Sequence, residues 1–271
     1  MLALGTWDDK VVVVTGAGSG IGRGIARAAA RRGATVCVTD VDGERAAAVA
    51  AELRADGATA VESTCDVSSD AAVDALREDV HHGCGPVDVV VSNVGVITMG
   101  RPEDLGADAW RRLLDVNLLG AIRLTTAFMP DLLERGSGHL VFTASTAGLY
   151  PYAFDRLPYA ASKAATIAYA EGLALYLAPR GIGVTCLCPG PVTTNIAEQV
   201  TVVGDLAGSP RGPALAPVDP DDVGELVAGA VEQGRFLLQT HPDEVRATMM
   251  ALADDPDGFM RRQLVEMAAA S

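Results

Sequence analysis

The feature that most constrains the fold is a β-branched run that passes directly into a glycine-rich turn. Residues 10–15 read Lys-Val-Val-Val-Val-Thr, and residues 16–22 read Gly-Ala-Gly-Ser-Gly-Ile-Gly. The run is apolar on both faces, as in a central parallel strand, and a helical pattern follows over residues 21–32. The glycines alone would also fit a simple tight turn. A strand, a glycine turn and a helix N-terminus together aim backbone N–H groups at one point, so the segment predicts a phosphate-binding site.

Further short apolar runs, each separated from the next by a helical pattern, are typical of a parallel α/β sheet. The order predicts one doubly wound, Rossmann-type parallel sheet with helices on both faces, in a single domain over residues 1–271. Pro130 is expected to bend or break the longest helix. Predicted strands cover residues 10–15, 34–40, 58–64, 86–92, 139–143, 183–188 and 235–239, and predicted helices cover residues 21–32, 43–56, 69–82, 108–134, 157–179 and 220–233.

Composition limits the partners and the compartment. The formal charge is −14, which argues against nucleic acid or an anionic membrane as partner because both require positive potential. The longest apolar segment, residues 164–179, is interrupted by Glu171, and residues 1–10 lack the features of a signal peptide. The 5 cysteines have no zinc-site spacing and are interpreted as buried free thiols, so no metal site is predicted. We expect a cytoplasmic protein without membrane spans.

A tyrosine and a lysine four residues apart form the candidate chemical centre. In a helix over residues 157–179, Tyr159 and Lys163 share one face. The pKa of a free phenol is about 10, and a nearby ammonium would lower it. Lys163 and Lys10 are the only lysines in an arginine-rich chain, which suggests a role for a compact ammonium. Taken alone, the pair would also fit a tyrosine packed on the core and a lysine on the helix surface.

Two motifs together carry a resemblance to a known family. Thr-Gly-x-x-x-Gly-Ile-Gly at residues 15–22 and Tyr-x-x-x-Lys at residues 159–163 resemble the short-chain dehydrogenase/reductase family, and the resemblance extends over residues 8–240. It implies hydride transfer between NAD and a secondary alcohol or ketone. It also implies that the glycine turn binds the cofactor through Gly16, Ser19, Gly20, Ile21 and Gly22.

The same resemblance implies a role for four catalytic residues. Tyr159 would be the general base for alcohol oxidation and the general acid for the reverse reaction. Ser145, whose register is fixed by Gly148, would bind the substrate oxygen. Lys163 would lower the phenol pKa and, with Tyr159, contact the cofactor. Asn117 would hold a water in a proton relay. From the residues alone, the Asn117 amide would equally fit bonding to a neighbouring strand.

An acidic residue ends the second predicted strand. In a dinucleotide-binding fold, Asp40 would hydrogen-bond the adenosine ribose and repel a 2′-phosphate. Ser19 and Val41 occupy positions where a basic residue would favour that phosphate, and no basic residue is expected nearby. We therefore expect NAD rather than NADP. The alternative is an aspartate that caps the helix beginning near Gly43.

Other matches to the family pattern follow later strands. Asp66 and Val67 match an Asp-Val pair that contacts adenine, although Asp66 would also fit a helix cap. Asn93 and Gly95 match the second and fourth positions of Asn-Asn-Ala-Gly, while the first and third positions differ. The segment after residue 188 matches Pro-Gly-x-Val-x-Thr, which holds the nicotinamide carboxamide. The matching residues are Pro189, Val192 and Thr194.

Segments rich in small or aromatic residues are expected to surround the substrate. Residues 195–218 suit a mobile lid, and residues 241–271 form a helical C-terminal extension that suits a contact in a homodimer or homotetramer. The predicted lining is Val96, Ile97, Leu149, Tyr150 and Tyr152, which favours an uncharged, apolar small molecule unless the lid brings Arg211 inward. The aromatic loop would also fit an interface. Alternative functions are a lyase or isomerase on the same scaffold, or a non-catalytic dinucleotide-binding protein.

Overall fold

The computed structural model describes residues 2–206 and 215–270. The main-sheet strands are β1 (Val11–Thr15), β2 (Thr35–Asp40), β3 (Ala60–Thr64), β4 (Val89–Ser92), β6 (Gly138–Thr143), β7 (Ile182–Cys188) and β9 (Leu237–Gln239). They are parallel and lie in the order β3-β2-β1-β4-β6-β7-β9. The predicted doubly wound sheet is therefore confirmed. Its order reverses between β1 and β4, and this reversal opens a crevice at the carboxyl ends of the strands.

Helices lie on both faces of the sheet. They are α1 (Gly20–Ala30), α2 (Gly43–Ala55), α3 (Asp70–Cys84), α4 (Ala107–Leu114), α5 (Gly120–Arg135), α6 (Leu157–Leu177), α7 (Pro220–Gln233), α8 (Pro242–Asp254) and α9 (Pro256–Ala270). Several start where a side chain accepts the first free N–H groups: Asp42 caps α2, Ser69 caps α3 and Asp219 caps α7. Among the residues described, no helix is long and apolar enough to cross a membrane.

Alternate residues of the strands pack into two separate hydrophobic cores, one on each face of the sheet. Val12 and Val14 of β1 pack with α1, α2 and α7, whereas Val13 packs on the other face with α3, α5 and α6. Gly24 of α1 and Gly224 of α7 meet with no room for a Cβ atom, which lets the two helices approach closely. The all-apolar strands predicted from the sequence therefore serve two cores at once.

The long helix predicted over residues 108–134 is interrupted, but not at Pro130. Helices α4 and α5 are joined by a π-helical turn, Asp115–Leu119, and Pro130 lies inside α5. The prediction that this proline would break the helix is wrong. Wide turns of this kind are frequent at functional sites, and this one contains Asn117, whose buried amide bonds to groups outside the helix.

A second, two-stranded parallel sheet was not predicted. It pairs β5 (Ile97–Gly100) with β8 (Val200–Val203). Strand β8 lies inside the segment 195–218 that was expected to be a mobile lid. The β-branched run Val-Thr-Val-Val carried this signal, but the glycines and prolines around it favoured a loop. A bridge between Val192 and Val218 joins the last residue of that segment to the chain just before it. The part of the predicted lid that includes Arg211 lies outside the described residues.

Candidate active site

The glycine turn between β1 and α1 has the shape of an anion site. Gly16 and Gly20 have φ of 63° and 52°, a left-handed conformation that favours glycine. Gly22 packs against the Gly16 carbonyl with no room for a side chain. Ser19 is the N-cap residue of α1 but makes no side-chain cap, so the first N–H groups of α1 remain available to an anion. Ile21, partly buried, packs on the core beneath the turn.

Asn93 joins the carboxyl ends of three strands. Its side-chain nitrogen donates to the Thr15 carbonyl at 3.2 Å, and its side-chain oxygen accepts from Thr143 Oγ1 at 3.0 Å. Its backbone N–H donates to Thr15 Oγ1 at 3.2 Å. The residue therefore fixes the crevice between β1, β4 and β6. Gly95 follows it, and a Cβ atom built there would lie 3.2 Å from Lys163 Nζ.

Asp40 lies beside the glycine turn rather than on a helix cap. Its carboxylate accepts from the Gly18 N–H at 3.0 Å and from the Asp42 N–H at 3.1 Å, while Asp42 itself caps α2. A Cβ atom built on Gly18 would lie 2.8 Å from Asp40 Oδ2 and 2.7 Å from Arg45 Cβ. The expectation that no basic residue lies nearby is wrong. Helix α2 places Arg45 beside the glycine turn. The sequence analysis considered only the residues directly next to Asp40 and Gly20, so it missed this arginine.

Asp66 and Val67 follow β3 in a local turn. The Asp66 carboxylate accepts from the hydroxyl and the N–H of Ser68, at 2.7 and 2.9 Å, and these bonds lower its pKa. The N-cap residue of α3 is Ser69, so the alternative that Asp66 caps this helix is wrong. Val67 is buried and packs against Gly120 at the start of α5.

The Asn117 amide is fully engaged. Its oxygen accepts from the Val96 N–H at 2.8 Å, and its nitrogen donates to the Val96 carbonyl at 3.0 Å and to Ser162 Oγ at 3.2 Å. Ser162 in turn donates to the Tyr159 carbonyl at 2.7 Å. These bonds match the alternative of an amide that bonds to a neighbouring segment of the chain, and the role of Asn117 in a proton relay stays a prediction. Ser162 was not selected from the sequence, although it lies inside the Tyr-x-x-x-Lys motif.

Lys163 is buried with its ammonium pointing at β6. Only 3% of the residue is exposed, and Nζ donates to the Thr143 carbonyl at 2.8 Å. Nζ also lies 5.7 Å from the centroid of the Tyr159 ring. Burial lowers the pKa of the ammonium to about 8, because a charged group is disfavoured away from water. The alternative of a surface lysine is therefore excluded.

Ser145 and Tyr159 meet at the end of β6. Ser145 is buried, and its Oγ accepts from the Ala147 N–H at 3.1 Å. Burial raises the pKa of Tyr159 to about 12, and a hydrogen bond with Ser145 acts in the opposite direction. The sequence predicted a phenol pKa lowered by Lys163. The direction in this structure is the reverse, because the desolvation of the phenolate outweighs the favourable contacts.

The segment after β7 crosses the glycine turn. The Thr146 N–H donates to the Pro189 carbonyl at 3.0 Å, which ties this segment to the loop after β6. Val192 forms the bridge that closes the segment. A Cβ atom built on Gly20 would lie 3.0 Å from Thr194 Cγ2, so the threonine packs directly on the turn. The three predicted residues thus border the crevice.

The aromatic loop before α6 contains a cation that the sequence interpretation missed. Arg156 Nε donates to Asp155 Oδ1 at 2.7 Å, and Asp155 is fully buried. The guanidinium also lies 5.7 Å from the centroid of the Tyr152 ring, and its charge acts to lower the pKa of Tyr159. A positive charge therefore lies near the phenol, but a buried carboxylate already pairs with it.

A cavity of about 280 Å³ lies between this loop and α6. Leu149, Tyr150 and Tyr152, three of the predicted substrate contacts, line it. On α6 the lining includes Ala161 and Ala164, on the face away from Tyr159 and Lys163, and neither Val96 nor Ile97 belongs to the lining. Of the five residues predicted to surround the substrate, three therefore line this cavity and two do not. The remaining lining residues are Ala147, Gly148, Pro151, Ala153, Arg156, Leu157 and Ala160.

Comparison with known proteins gives matches over most of the chain. The family model for short chain dehydrogenase matches residues 10–202. The chain is 34% identical over 249 residues to the "Probable oxidoreductase EphD" of Mycobacterium tuberculosis, with 88% of this chain but 42% of that protein covered, so it spans less than half of this relative. It is 37% identical over 238 residues to the 1-deoxy-11-beta-hydroxypentalenate dehydrogenase of Streptomyces exfoliatus, covering 86% of this chain and 84% of the relative.

A solved structure is similar over nearly the whole chain. It is a short-chain dehydrogenase/reductase from Burkholderia phymatum in complex with NAD, with a TM-score of 0.82 and 31% identity. The alignment covers 93% of this chain and 95% of the other.

Proposed function

The chain belongs to the short-chain dehydrogenase/reductase family, and from this premise we propose that it transfers a hydride between NAD and a secondary alcohol or ketone. One observation carries the proposal. Ser145, Tyr159 and Lys163 converge at the carboxyl end of the sheet, next to a glycine turn suited to an anion. No observation favours a lyase, an isomerase or a non-catalytic protein over this reading.

The residues around the crevice fit a dinucleotide. The uncapped N-terminus of α1 suits a pyrophosphate, and the Asp40 carboxylate beside Gly18 suits the two ribose hydroxyls. When bound, the nicotinamide accepts a hydride from the alcohol carbon or returns one to the ketone. We propose that the chain holds NAD through Gly16, Ser19, Gly20, Ile21, Gly22, Asp40, Asp66, Val67, Asn93, Gly95, Tyr159, Lys163, Pro189, Val192 and Thr194.

The proton is handled by the chain's own side chains. With a pKa raised to about 12, the Tyr159 phenol is protonated at neutral pH, which suits a general acid that donates to the ketone oxygen. Ser145, bonded to the phenol, would donate a second hydrogen bond to the same oxygen. In the oxidative direction Tyr159 receives the proton, and positive charge nearby must lower its pKa. Lys163 supplies that charge below a pH of about 8.

We propose that Asn117 supports the proton relay to Lys163 and that its side chain also has a positioning role. Its amide fixes the backbone at Val96 and, through Ser162, the first turns of α6 that carry Tyr159. These bonds connect the first turns of α6 to the loop after β4. Such support is required because small displacements of catalytic groups reduce turnover strongly.

We further propose an uncharged, largely apolar substrate. The support is that both cations described near Tyr159 already have partners: Arg156 is paired with buried Asp155, and the Lys163 ammonium donates to the Thr143 carbonyl. The test is a screen of secondary alcohols and ketones, with carboxylate and phosphorylated analogues, followed by NADH absorbance. Tyr159→Phe protein serves as the inactive control. A preference for the anionic analogues would contradict the proposal.

We also propose a single domain over residues 1–271 that assembles as a cytoplasmic homodimer or homotetramer. Support for assembly comes from apolar side chains on the outside of α6 and α9, including Leu175 and Val265, which are 81% and 70% exposed. The free cysteines found among the described residues are consistent with a reducing compartment. Light scattering on the purified protein measures the oligomeric state, and a monomer at micromolar concentration would contradict the assembly.

A further inference from the structure

An ion pair links α2 to the short 3₁₀ turn Asn195–Gln199, which directly follows Thr194. Arg45 Nη2 lies 2.9 Å from Glu198 Oε2, and the Asn195 side chain donates to the same oxygen at 3.2 Å. We propose that Glu198 is a positioning residue for cofactor selectivity. By holding Arg45, it keeps that guanidinium from binding a 2′-phosphate and so favours NAD over NADP. The inference rests on the proposed binding of a dinucleotide beside Asp40.

The first support is the location of Arg45. The stem of its side chain lies against Gly18, whose N–H donates to Asp40 at 3.0 Å. A Cβ atom on Gly18 would touch both residues, at 2.7 Å from Arg45 Cβ and 2.8 Å from Asp40 Oδ2. The arginine therefore starts next to the carboxylate proposed to contact the ribose. Its long side chain is 43% exposed, and we expect it to be able to turn either towards that ribose or towards Glu198.

The second support is the balance of charge around the guanidinium. Arg45 Nε lies 3.2 Å from Asp42 Oδ2, and Asp40 acts at longer range. The pKa of Arg45 is raised, with the hydrogen bond to Glu198 as the largest cause. A 2′-phosphate carries a charge of about −2 and is bound well by a planar guanidinium. It would have to compete with these carboxylates for Arg45.

The third support is the position of Glu198 in the chain. It lies in the turn that follows Thr194, which packs on Gly20, and that precedes β8. The pair with Arg45 thus holds the segment across the crevice at the adenosine end, while Thr194 holds it at the glycine turn. If Arg45 moved to a 2′-phosphate, this contact would be lost. NAD leaves it intact.

The expected effect is modest, because exposed ion pairs typically shift an equilibrium by roughly two- to fivefold. The experiment measures the binding of 5′-AMP and of adenosine 2′,5′-bisphosphate to the full chain by calorimetry. Glu198→Gln should bind the bisphosphate roughly two- to fivefold more tightly, with 5′-AMP unchanged. Glu198→Asp should behave as wild type. Arg45→Gln should change the binding of the bisphosphate little, because Glu198 already holds that guanidinium, and adding Glu198→Gln to it should bring no gain in affinity.

A matched control is available on the same helix. Arg54 and Glu62 form an ion pair of 2.7 Å with similar exposure, 44% and 43% against 43% and 58% for Arg45 and Glu198. Glu62→Gln should leave the binding of both nucleotides unchanged. An equal effect of Glu62→Gln would mean that overall charge, and not the pair with Arg45, sets the selectivity, and the inference would be overturned.

The outcomes separate this inference from the proposed function. If neither nucleotide binds the wild-type chain, the proposed cofactor site fails and the inference fails with it. If both bind but Glu198→Gln leaves their ratio unchanged, only the inference is overturned. It is also overturned if the gain persists in the Arg45→Gln background. A wild-type preference for the bisphosphate would refute NAD selectivity, whereas a gain that depends on Arg45 would still support the action of Glu198.

Discussion

The Lys163 ammonium donates to the backbone carbonyl of Thr143 at 2.8 Å, and this bond joins α6 to the end of β6. Thr143 also donates through its hydroxyl to Asn93, so the lysine is connected to the strand ends on both sides of the crevice. A charged group in this position is held by a neutral carbonyl and not by a carboxylate. The native structure therefore carries a desolvation cost for a group that the proposed reaction requires.

Lys163→Met should increase stability at neutral pH while it abolishes turnover. The pKa of Lys163 is about 8 in the folded chain, below its ordinary 10.5, so the unfolded chain binds more protons between these values. The free energy of unfolding of the wild-type protein should therefore rise as the pH increases from about 8 to 10.5. Below pH 8 the ammonium is charged in both states, and its burial should destabilise the folded chain. We expect Lys163→Met to raise the free energy of unfolding at pH 7 by about 1–3 kcal/mol, less the lost hydrogen bond.

Urea denaturation of both proteins at intervals from pH 7 to pH 10 measures this difference. The advantage of the methionine variant should shrink as the pH rises. Tyr159 should not interfere in this range, because its raised pKa of about 12 makes stability fall only above its ordinary value of 10.0. If Lys163→Met had a lower free energy of unfolding than wild type at pH 7, the buried ammonium would not be destabilising, and the prediction would be wrong.

Gly95→Ala should impair turnover without unfolding the chain. A Cβ atom there would lie 3.2 Å from Lys163 Nζ, so the ammonium must move by a few tenths of an ångström. Displacement of a catalytic group by this distance is expected to reduce kcat about tenfold. Gly83→Ala on α3, with no atom within 4 Å, is the matched control and should keep wild-type kcat. Equal kcat values for the two variants would exclude a tight fit at Gly95.

Asn117→Ala should lower both stability and turnover. It leaves the N–H and the carbonyl of Val96 without the partners they now have at 2.8 and 3.0 Å, which should cost about 2–3 kcal/mol in a buried site. The altered placement of α6 should also reduce kcat. Gln263→Ala, at an amide near the surface of α9, is the control for stability. Full kcat in a destabilised Asn117→Ala protein would limit this residue to a structural role.

The fold was predictable because its signals are local. The run ending at Thr15 and the glycines after it each specify the start or end of an element within a few positions. The π-helical turn at 115–119 was not predictable, since the partners of Asn117 there, Val96 and Ser162, lie far away in the sequence. The strand β8 was missed for a similar reason: a four-residue run forms a strand only because β5 lies beside it.

The side chains that meet at the candidate site were predictable from the sequence, but their environment was not. Tyr159 and Lys163 were found from their spacing, yet the raised phenol pKa follows from burial, which spacing does not encode. Arg45 and Arg156 reach the site from exposed or loop positions that no motif marks. Long side chains connect residues distant in sequence, so their charges become visible only when the elements are packed.

Asp40→Ser should narrow or reverse the proposed preference for NAD over NADP. The carboxylate lies beside Gly18 and would face the 2′ position of a bound adenosine ribose, where a phosphate would be repelled. Removing it should raise the ratio of kcat/KM for NADP to that for NAD by about tenfold or more, and Val41→Arg should add to this effect. Asp108→Ser, at a carboxylate 97% exposed on α4, is the control. Wild-type protein that uses both cofactors equally would contradict the role of Asp40.

Lys163→Arg tests whether the site needs an ammonium or only a positive charge. Nζ lies between the Thr143 carbonyl and Gly95, in a space that leaves little room for a planar guanidinium. A guanidinium is also effectively never deprotonated, whereas the pKa of this ammonium lies near 8. We expect the arginine variant to keep its fold but to lose about 10²–10⁴-fold in kcat, with an altered pH profile. Lys10→Arg, at the other lysine of the chain, should keep wild-type kcat, since its side chain is 32% exposed and 3.9 Å from Asp88. Near wild-type kcat in folded Lys163→Arg protein would remove this lysine from the proposed mechanism.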